Sequence, residues 1–193
     1  MTKLKTFSFL LALAFVVASC APAAKNDTKA VATPTITFEE VNAAQQAWCD
    51  ALVKIGSLYE NGEDYKGFAE QVLTDAYDYD HGKVFFKPTL AYGENTFRVT
   101  KKGALAYFVG NDPDFPEDRG FALTPWVSAR YHNIGEGNEG IQIHGNIAIT
   151  QGNVYFTDKN GNVSMVDKTW VFKKGDDGKL RIVMHHSSLP FKP

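Results

Sequence analysis

Residues 140–157 read GIQIHGNIAITQGNVYFT, a long stretch in which β-branched and aromatic residues are frequent. This composition favours extended strands. Stretches of the same kind lie on both sides of it: KVFFKPTLA, ALAYFVG, GFALTPWVSARYHN, VSMVDKTWVFKK and KLRIVMHHSS. The turn sequences DKNG (158–161) and GDDG (175–178) separate the later ones. Long strands joined by short turns predict an antiparallel sheet over most of the second half of the chain.

Helical patterns precede the strands. Thr37 and Glu40 have the spacing of a capping box. Apolar residues then recur at 41, 44, 48, 52, 55 and 58, which form one stripe of a helix that should end at Asn61-Gly62. A shorter helix is predicted to begin at Asp64. Helices followed by strands indicate an α+β fold, in which a curved, mostly antiparallel sheet wraps around the N-terminal helix like a cone and leaves a pocket at the wide end.

The composition is that of a folded domain. The chain has 193 residues, of which 44% are hydrophobic. The formal net charge is −2, and no basic stripe stands out, so nucleic acid is not expected as a partner.

The N-terminus is predicted to be a targeting segment. Lys3 and Lys5 precede a short apolar run, and small residues lead into Cys20. This pattern resembles the signal peptide of a bacterial lipoprotein, which implies cleavage before Cys20 and a lipid on that cysteine. Ala21, rather than an aspartate, then favours the outer membrane and an anchor on the periplasmic side. The predicted organisation is a signal at 1–19, a flexible tether at 20–36, and one domain at 37–193.

The last strand has a polar end. Side chains alternate between the two faces of a strand, so Leu180, Ile182, Met184, His186 and Ser188 should share one face. That face is apolar until its end, which predicts that His186 and Ser188 point into the cavity. His185 and Ser187 should then point outward, although a one-residue bulge would exchange the two pairs.

Two earlier residues are further candidates. Thr89 follows Lys87 and Pro88, in a segment that the proline restricts to a sheet edge or a strand end. Tyr107 shares a face with Leu105 and Val109 if GALAYFVG is a strand, which favours burial. A buried tyrosine hydroxyl needs a hydrogen-bonding partner.

Taken together, these motifs resemble a known family. HHSSLP, FKPT, AYFVG, DRGFALTPW, QGNVYFTDKNG and the DGKLRI turn are similar to the iota-class carbonic anhydrases from about residue 48 to residue 190. The resemblance implies the cone-shaped α+β fold shared with ketosteroid isomerase and with the association domain of calcium/calmodulin-dependent kinase. It also implies reversible hydration of carbon dioxide to bicarbonate.

The resemblance also implies four site residues. The threonine of FKPT falls on Thr89, the tyrosine of AYF on Tyr107, and the histidine and serine of HHSS on His186 and Ser188. The motif does not choose between that pair and His185 with Ser187. Thr89, Tyr107 and Ser188 would hold water and bicarbonate, and His186 would accept the proton.

No metal cofactor is expected. The five histidines form neither an HxH nor an HExxH pattern, and Cys49 lies in a helical pattern as a small buried hydrophobe. With Cys20 acylated, Cys49 has no disulfide partner. A zinc or manganese site built from distant residues stays open at this stage.

Two other functions compete with this one. A fold of this kind also serves as a non-enzymatic oligomerisation or ligand-binding module. An isomerase of the ketosteroid type is the other alternative, with Asp75, Asp78 or Asp80 as the base. In each case an open sheet predicts a homodimer, for which Trp126, Tyr131, Tyr155 and Trp170 are candidate interface residues.

Overall fold

The computed structural model describes residues 35–193. The predicted signal peptide, Cys20 and the tether up to residue 34 lie outside the described residues. Ile36 belongs to the folded unit, because its side chain is buried and its N–H donates to the Gly145 carbonyl at 3.2 Å. Within the described part, no helix is both long and apolar enough to cross a membrane.

Three helices and six strands make up this unit. The helices are α1 (Phe38–Glu60), α2 (Tyr65–Ala76) and α3 (Lys101–Val109), and single 3-10 turns lie at Gly93–Asn95 and Phe121–Leu123. The strands are β1 (Phe85–Lys87), β2 (Trp126–Asn133), β3 (Ile141–His144), β4 (Ile147–Asp158), β5 (Val163–Lys174) and β6 (Leu180–Ser188).

The capping box and the apolar stripe of α1 are confirmed. The Thr37 hydroxyl accepts from the Glu40 amide at 3.2 Å, and the Glu40 carboxylate accepts from the Thr37 amide at 2.9 Å. The stripe is buried, and the helix ends at Asn61, followed by Gly62 with φ +69°. Two free amides of the first turn are thereby satisfied, which stabilises the start of the helix.

The sheet is open, curved and mostly antiparallel, as predicted. The strand order is β1-β6-β5-β4-β2. The short strand β3 pairs with the first part of β4, and β2 pairs with the rest of β4. Only β1 and β6 run parallel, and the other pairs are antiparallel. Helix α1 packs on the inner face of the sheet, where its buried stripe meets Trp170, Phe172 and Ile182 in one core.

The prediction that GALAYFVG is a strand is wrong, because these residues form α3. The Thr100 hydroxyl caps the helix by accepting from the Gly103 amide at 3.1 Å. Gly110, with φ +63°, ends it. The alanines of this segment favour helix. The helix is buried on more than one side, so its sequence is apolar without a helical period and was taken for a strand.

The alternation predicted for the last strand is also wrong at its C-terminal end. Val171 pairs with Met184 while Phe172 pairs with Ile182, so Val183 is an extra residue in β6. This bulge shifts the faces by one residue. His185 and Ser187, each 1% exposed, therefore face the core together with Ile182, whereas His186 is exposed and Ser188 is half-buried on the outer face.

Candidate active site

The hydroxyl of Thr89, two residues after β1, is hydrogen-bonded to the hydroxyl of Ser187. The Ser187 hydroxyl donates to the backbone carbonyl of Asp167 at 3.1 Å. The Thr89 and Ser187 hydroxyl oxygens are 2.6 Å apart, and since Ser187 has used its only proton, Thr89 is the donor between them. The lone pairs of the Thr89 oxygen are thus left to accept a hydrogen bond from a ligand.

Lys87 holds the two segments that carry these hydroxyls. Its Nζ donates to the Ser187 carbonyl at 3.0 Å and to the Thr89 carbonyl at 3.4 Å. Partial burial lowers the pKa of Lys87. The lysine thus ties the end of β1 to the end of β6 and keeps Thr89 beside Ser187.

Tyr107 projects from α3 to the same place, so the structure brings it together with Thr89 despite the wrong strand prediction. Its hydroxyl is buried near Thr89 but has no partner in hydrogen-bond geometry within residues 35–193. Burial raises the pKa of Tyr107, so the phenol is neutral and is a hydrogen-bond donor at neutral pH. The hydroxyl lies close to the Thr89 side chain and the Leu90 backbone without a well-aligned hydrogen bond to either, so it can turn to donate to a ligand.

His185 is held at both ring nitrogens. Its Nδ1 is 2.9 Å from the Tyr77 hydroxyl, which in turn accepts from the Trp48 indole N–H at 2.9 Å. Its Nε2 is 2.9 Å from the Nζ of Lys168. Phe86 stacks on the imidazole with ring centroids 4.4 Å apart. Burial, and then the charge of Lys168, lowers the pKa of His185 well below the usual range, so the ring is neutral at neutral pH.

Two proton arrangements fit this network. In the first, Tyr77 donates to Nδ1, and the Nε2–H of the imidazole donates to a neutral Lys168 amine. In the second, the Nδ1–H donates to the Tyr77 oxygen, and Lys168 donates to Nε2 as an amine or as an ammonium. An ammonium group has no acceptor lone pair, so a charged Lys168 allows only the second arrangement.

Lys168 belongs to the same group of buried polar side chains, and it was not among the candidates predicted from the sequence. It is 3% exposed, and its Nζ lies over the rings of Trp48 and Trp170, 4.5 and 5.6 Å from their centroids. Burial lowers its pKa to about 7. Its burial could have been predicted from VSMVDKTWVFKK. Alternation along β5 places Lys168 on the same face as three buried residues: Val166, Trp170 and Phe172.

These groups surround a narrow cavity, too small to hold a water molecule, that adjoins a wider cleft. Aromatic rings form much of its wall, and its lining residues are Trp48, Phe86, Pro88, Thr89, Tyr107, Phe108, Phe121, Lys168, His185 and Ser187. Thr89, Tyr107 and Phe121 also line the cleft, which has a volume of about 560 Å³ and is predominantly apolar. The pocket expected within the cone is therefore present, and its polar groups converge where the cavity meets the cleft.

His186 and Ser188 are not in this cavity. They line a separate polar groove of about 460 Å³ on the outer face of the sheet, with Gln151, Asn153, Asp167 and Thr169. The bulge at Val183 is the physical reason, since it turns the other histidine and serine of HHSS inward. The alternative pair that the motif left open, His185 and Ser187, is the one that meets Thr89 and Tyr107.

The remaining candidates do not enter the cavity. Residues 35–193 contain no group of three or more His, Cys, Asp or Glu placed to hold a metal ion. Burial raises the pKa of Cys49 to about 12, which makes it a poor ligand or nucleophile. Asp75, Asp78 and Asp80 line neither the cavity nor the cleft, so none is placed as the base of an isomerase.

A buried cavity with a few converging polar groups is typical of an enzyme that acts on a small molecule.

Residues 39–189 match the family described as metal-independent carbonic anhydrase. A metal-independent carbonic anhydrase of Nostoc sp. (strain PCC 7120) is 52% identical over 171 residues, which are 86% of this chain and 81% of that protein.

Solved structures were also compared with this one. The crystal structure of a cyanobacterial iota-carbonic anhydrase complexed with bicarbonate superposes with a TM-score of 0.78 at 53% identity, over 82% of this chain and 95% of that one. A nuclear transport factor 2-like protein from Salmonella enterica matches at a TM-score of 0.44 and 14% identity, over 80% of this chain and 91% of that one.

The chain belongs to the metal-independent carbonic anhydrases. It is a carbonate dehydratase of the iota class, which hydrates carbon dioxide reversibly to bicarbonate. The resemblance in the sequence motifs is confirmed, and the family's metal independence agrees with the expectation of no metal cofactor.

The buried lysine predicts a pH-dependent stability. Its pKa falls from 10.5 to about 7 on folding, so between these values the unfolded chain carries a proton that the folded chain lacks. Stability should therefore rise with pH across this window, by at most about 1.4 kcal/mol per pH unit from this one group. We expect Lys168→Met to stabilise the protein most at and below pH 7 and progressively less towards pH 10.5, as measured by urea unfolding.

The matched control is Lys173→Met on the same strand, whose side chain is 44% exposed and whose Nζ is 3.8 Å from an Asp78 carboxylate oxygen, beyond hydrogen-bond distance. It should shift the free energy of unfolding little and without this pH dependence. A difference between wild type and Lys168→Met that stays constant from pH 7 to pH 9.5 would contradict the buried, neutral lysine.

Proposed function

We propose that carbon dioxide is hydrated, and bicarbonate bound, where the narrow cavity meets the cleft, at Thr89, Tyr107 and Ser187. The observation that carries this proposal is the convergence of three buried hydroxyls, one of them without a protein partner, in an apolar setting. The cyanobacterial relative with the same fold was crystallised with bicarbonate, which supports a site for that anion.

The mainly apolar lining of the cleft is suited to carbon dioxide. Carbon dioxide is apolar, and the cleft that leads to the hydroxyls is lined by Phe121, Trp126, Phe156 and Leu189 among others. An apolar wall also keeps the local dielectric low, so that hydrogen bonds to a developing charge are stronger than in water. The charged residues Glu117, Asp118 and Arg119 also line the cleft, so carbon dioxide has an apolar wall to follow beside a charged one.

Thr89 and Tyr107 have complementary roles, one as a hydrogen-bond acceptor and the other as a donor. The Thr89 oxygen accepts a hydrogen bond from one O–H of the attacking water and so orients the water's lone pair towards carbon. The Tyr107 hydroxyl donates to the carbon dioxide oxygen that becomes negative as the new C–O bond forms. Ser187 holds Thr89 in the orientation that leaves its lone pairs free.

His185 replaces His186 as the histidine of the site, and its role changes with the geometry. Both of its ring nitrogens are occupied by Tyr77 and Lys168, and its pKa is lowered by burial. A ring held in this way cannot take a proton directly from water. We assign His185 as a positioning residue for Lys168.

Removal of individual hydroxyls tests the site. Thr89→Val, Ser187→Ala and Tyr107→Phe each keep the approximate shape of the side chain and remove one polar group. We expect kcat for carbon dioxide hydration to fall by about 100-fold in Tyr107→Phe, as for loss of one oxyanion donor. Smaller losses are expected for the other two, measured by stopped-flow with a pH indicator.

The matched controls are His186→Ala and Ser188→Ala on the outer face, which should keep wild-type rates. Equal loss in these controls would overturn the assignment of the inner pair. Wild-type enzyme treated with chelator and dialysed should retain its activity. If wild-type protein did not accelerate hydration at all, the proposed function would fail.

We also propose that the chain is a lipoprotein anchored through Cys20 on the periplasmic side, in the outer membrane. The support is the sequence of residues 1–21, with two lysines, a short apolar run and small residues before the cysteine. Expressed in a bacterial host with radiolabelled palmitate, the full chain should carry label and fractionate with outer membranes. The Cys20→Ser variant should do neither, and label that persists in it would refute the anchor.

We propose a homodimer formed through the outer face of the sheet. Of the four candidate aromatics, Trp170 is fully buried and Tyr131 stacks on it at 4.9 Å, so these two belong to the core. Tyr155 stacks with the Arg130 guanidinium on the other side. The half-buried Val171 pairs with the exposed Ile149 there, and these apolar side chains favour cover by a second copy.

Light scattering coupled to size exclusion measures the mass directly. We expect the domain to run with twice the monomer mass and Ile149→Glu to run as a folded monomer. The control Val127→Glu replaces another exposed apolar residue, in β2, and should leave the mass unchanged. A wild-type mass of one chain at micromolar concentration would contradict the dimer.

A further inference from the structure

We propose that Lys168 is the proton acceptor of the site, and that its neutral amine takes the proton released when water adds to carbon dioxide. This inference rests on the proposed function and assigns the step for which Thr89, Tyr107 and His185 supply no base. It concerns a residue that lies on β5, apart from the motifs that mark the family in this sequence.

Position is the first support. The Lys168 Nζ lies in the same narrow cavity as the hydroxyls of Thr89 and Ser187, and Lys168 pairs directly with Ser187 across β5 and β6. Thr89 and Tyr107 line both the cavity and the cleft, so only the cavity separates the amine from their junction. A lysine side chain has four rotatable bonds, over which Nζ can move towards a bound water.

The surroundings of Lys168 favour a neutral amine. The groups that face it are Cys49 from α1, Tyr77 after α2, Lys87 from β1, Tyr107 from α3, Tyr131 from β2 and His185 from β6. Burial raises the pKa of both Cys49 and Tyr131 to about 12 and raises those of Tyr77 and Tyr107, so these groups are uncharged at neutral pH.

No carboxylate pairs with Lys168 within residues 35–193, so an ammonium there has no counter-ion before the reaction. Burying an unpaired charge is costly. The amine can therefore be neutral near pH 7, which a general base requires in order to accept a proton.

Charge balance is the second support. In the forward step the water oxygen bonds to carbon, one water O–H bond breaks, and its proton moves to the lone pair of Lys168. The products are bicarbonate at the junction with the cleft and an ammonium in the adjoining cavity, so the site as a whole has no net charge change in the step. The step creates a cation and an anion from neutral reactants, and the anion supplies the counter-ion that Lys168 otherwise lacks, so the two new charges attract each other.

The network around His185 accommodates both states of the lysine. With the imidazole proton on Nδ1 and donated to Tyr77, the neutral amine donates one N–H to Nε2 and keeps its lone pair for the cavity. The ammonium donates to Nε2 in the same way, so protonation requires no change of tautomer. The proton then leaves to solvent through the cavity and the cleft once bicarbonate has departed.

The experiment compares wild-type full-length chain with Lys168→Met and the control Lys173→Met. Stopped-flow hydration is measured from pH 6 to pH 9. We expect kcat of wild type and Lys173→Met to rise with pH through the range near 7. Lys168→Met should lose about 100-fold or more in kcat, the usual contribution of a general base, with little change in KM and without the rise near pH 7.

A second readout detects the lysine independently of turnover. In protein labelled with 13C at the lysine ε-carbon, the NMR signal missing from Lys168→Met should titrate in the same pH range as kcat. A signal that titrates near the ordinary lysine pKa would overturn the proposal. So would a folded Lys168→Met that keeps the wild-type kcat and pH profile, and in that case the carbonic anhydrase function would still stand. An inactive wild type would instead remove both.

Discussion

The extra residue at Val183 determines which chemistry faces the interior. β6 lies between β5 and β1, and its first half is anchored by Ile182 in the core. Without the bulge, strict alternation from Ile182 would turn His186 and Ser188 inward. With it, His185 reaches Tyr77 and Lys168, and Ser187 reaches Thr89. The side-chain contacts that His185 and Ser187 make in the cavity depend on this one shift of register.

The aromatic interior also contains several buried polar side chains that are hydrogen-bonded to one another. Trp48, Tyr77, His185 and Lys168 form a continuous series of hydrogen bonds, all of them buried. Such a network is stable only when its members are satisfied, because an unpaired buried polar group is costly. Within residues 35–193 the Tyr107 hydroxyl and the indole N–H groups of Trp126 and Trp170 are buried without a partner. Of these, the Tyr107 hydroxyl lies beside Thr89 where the cavity meets the cleft, as expected of a group that completes its hydrogen bonding with substrate.

Hydration of carbon dioxide without a metal requires another source of nucleophilicity. Free water has a pKa of 15.7, about nine units above that of the Lys168 amine, which corresponds to roughly 12 kcal/mol. A standing hydroxide is therefore not available to this site. In the mechanism that we propose, the proton leaves the water as the C–O bond forms, fixed hydroxyls stabilise the oxyanion, and the buried amine takes the proton.

The sequence by itself determined the α+β class, the boundaries of α1 and the family, because capping residues, periodic apolar positions and contiguous motifs are local properties of the chain. It proposed Thr89 and Tyr107 as candidate site residues, which the structure brings together. It placed Tyr107 on the wrong kind of element, since a helix buried on several sides has no polar face to reveal its period. Only the tertiary structure decided between the two His/Ser pairs and brought Lys168 to His185. A bulge is set by pairing with a distant strand, and the protonation of a buried lysine is set by what surrounds it, so neither can be determined from neighbouring residues in the sequence.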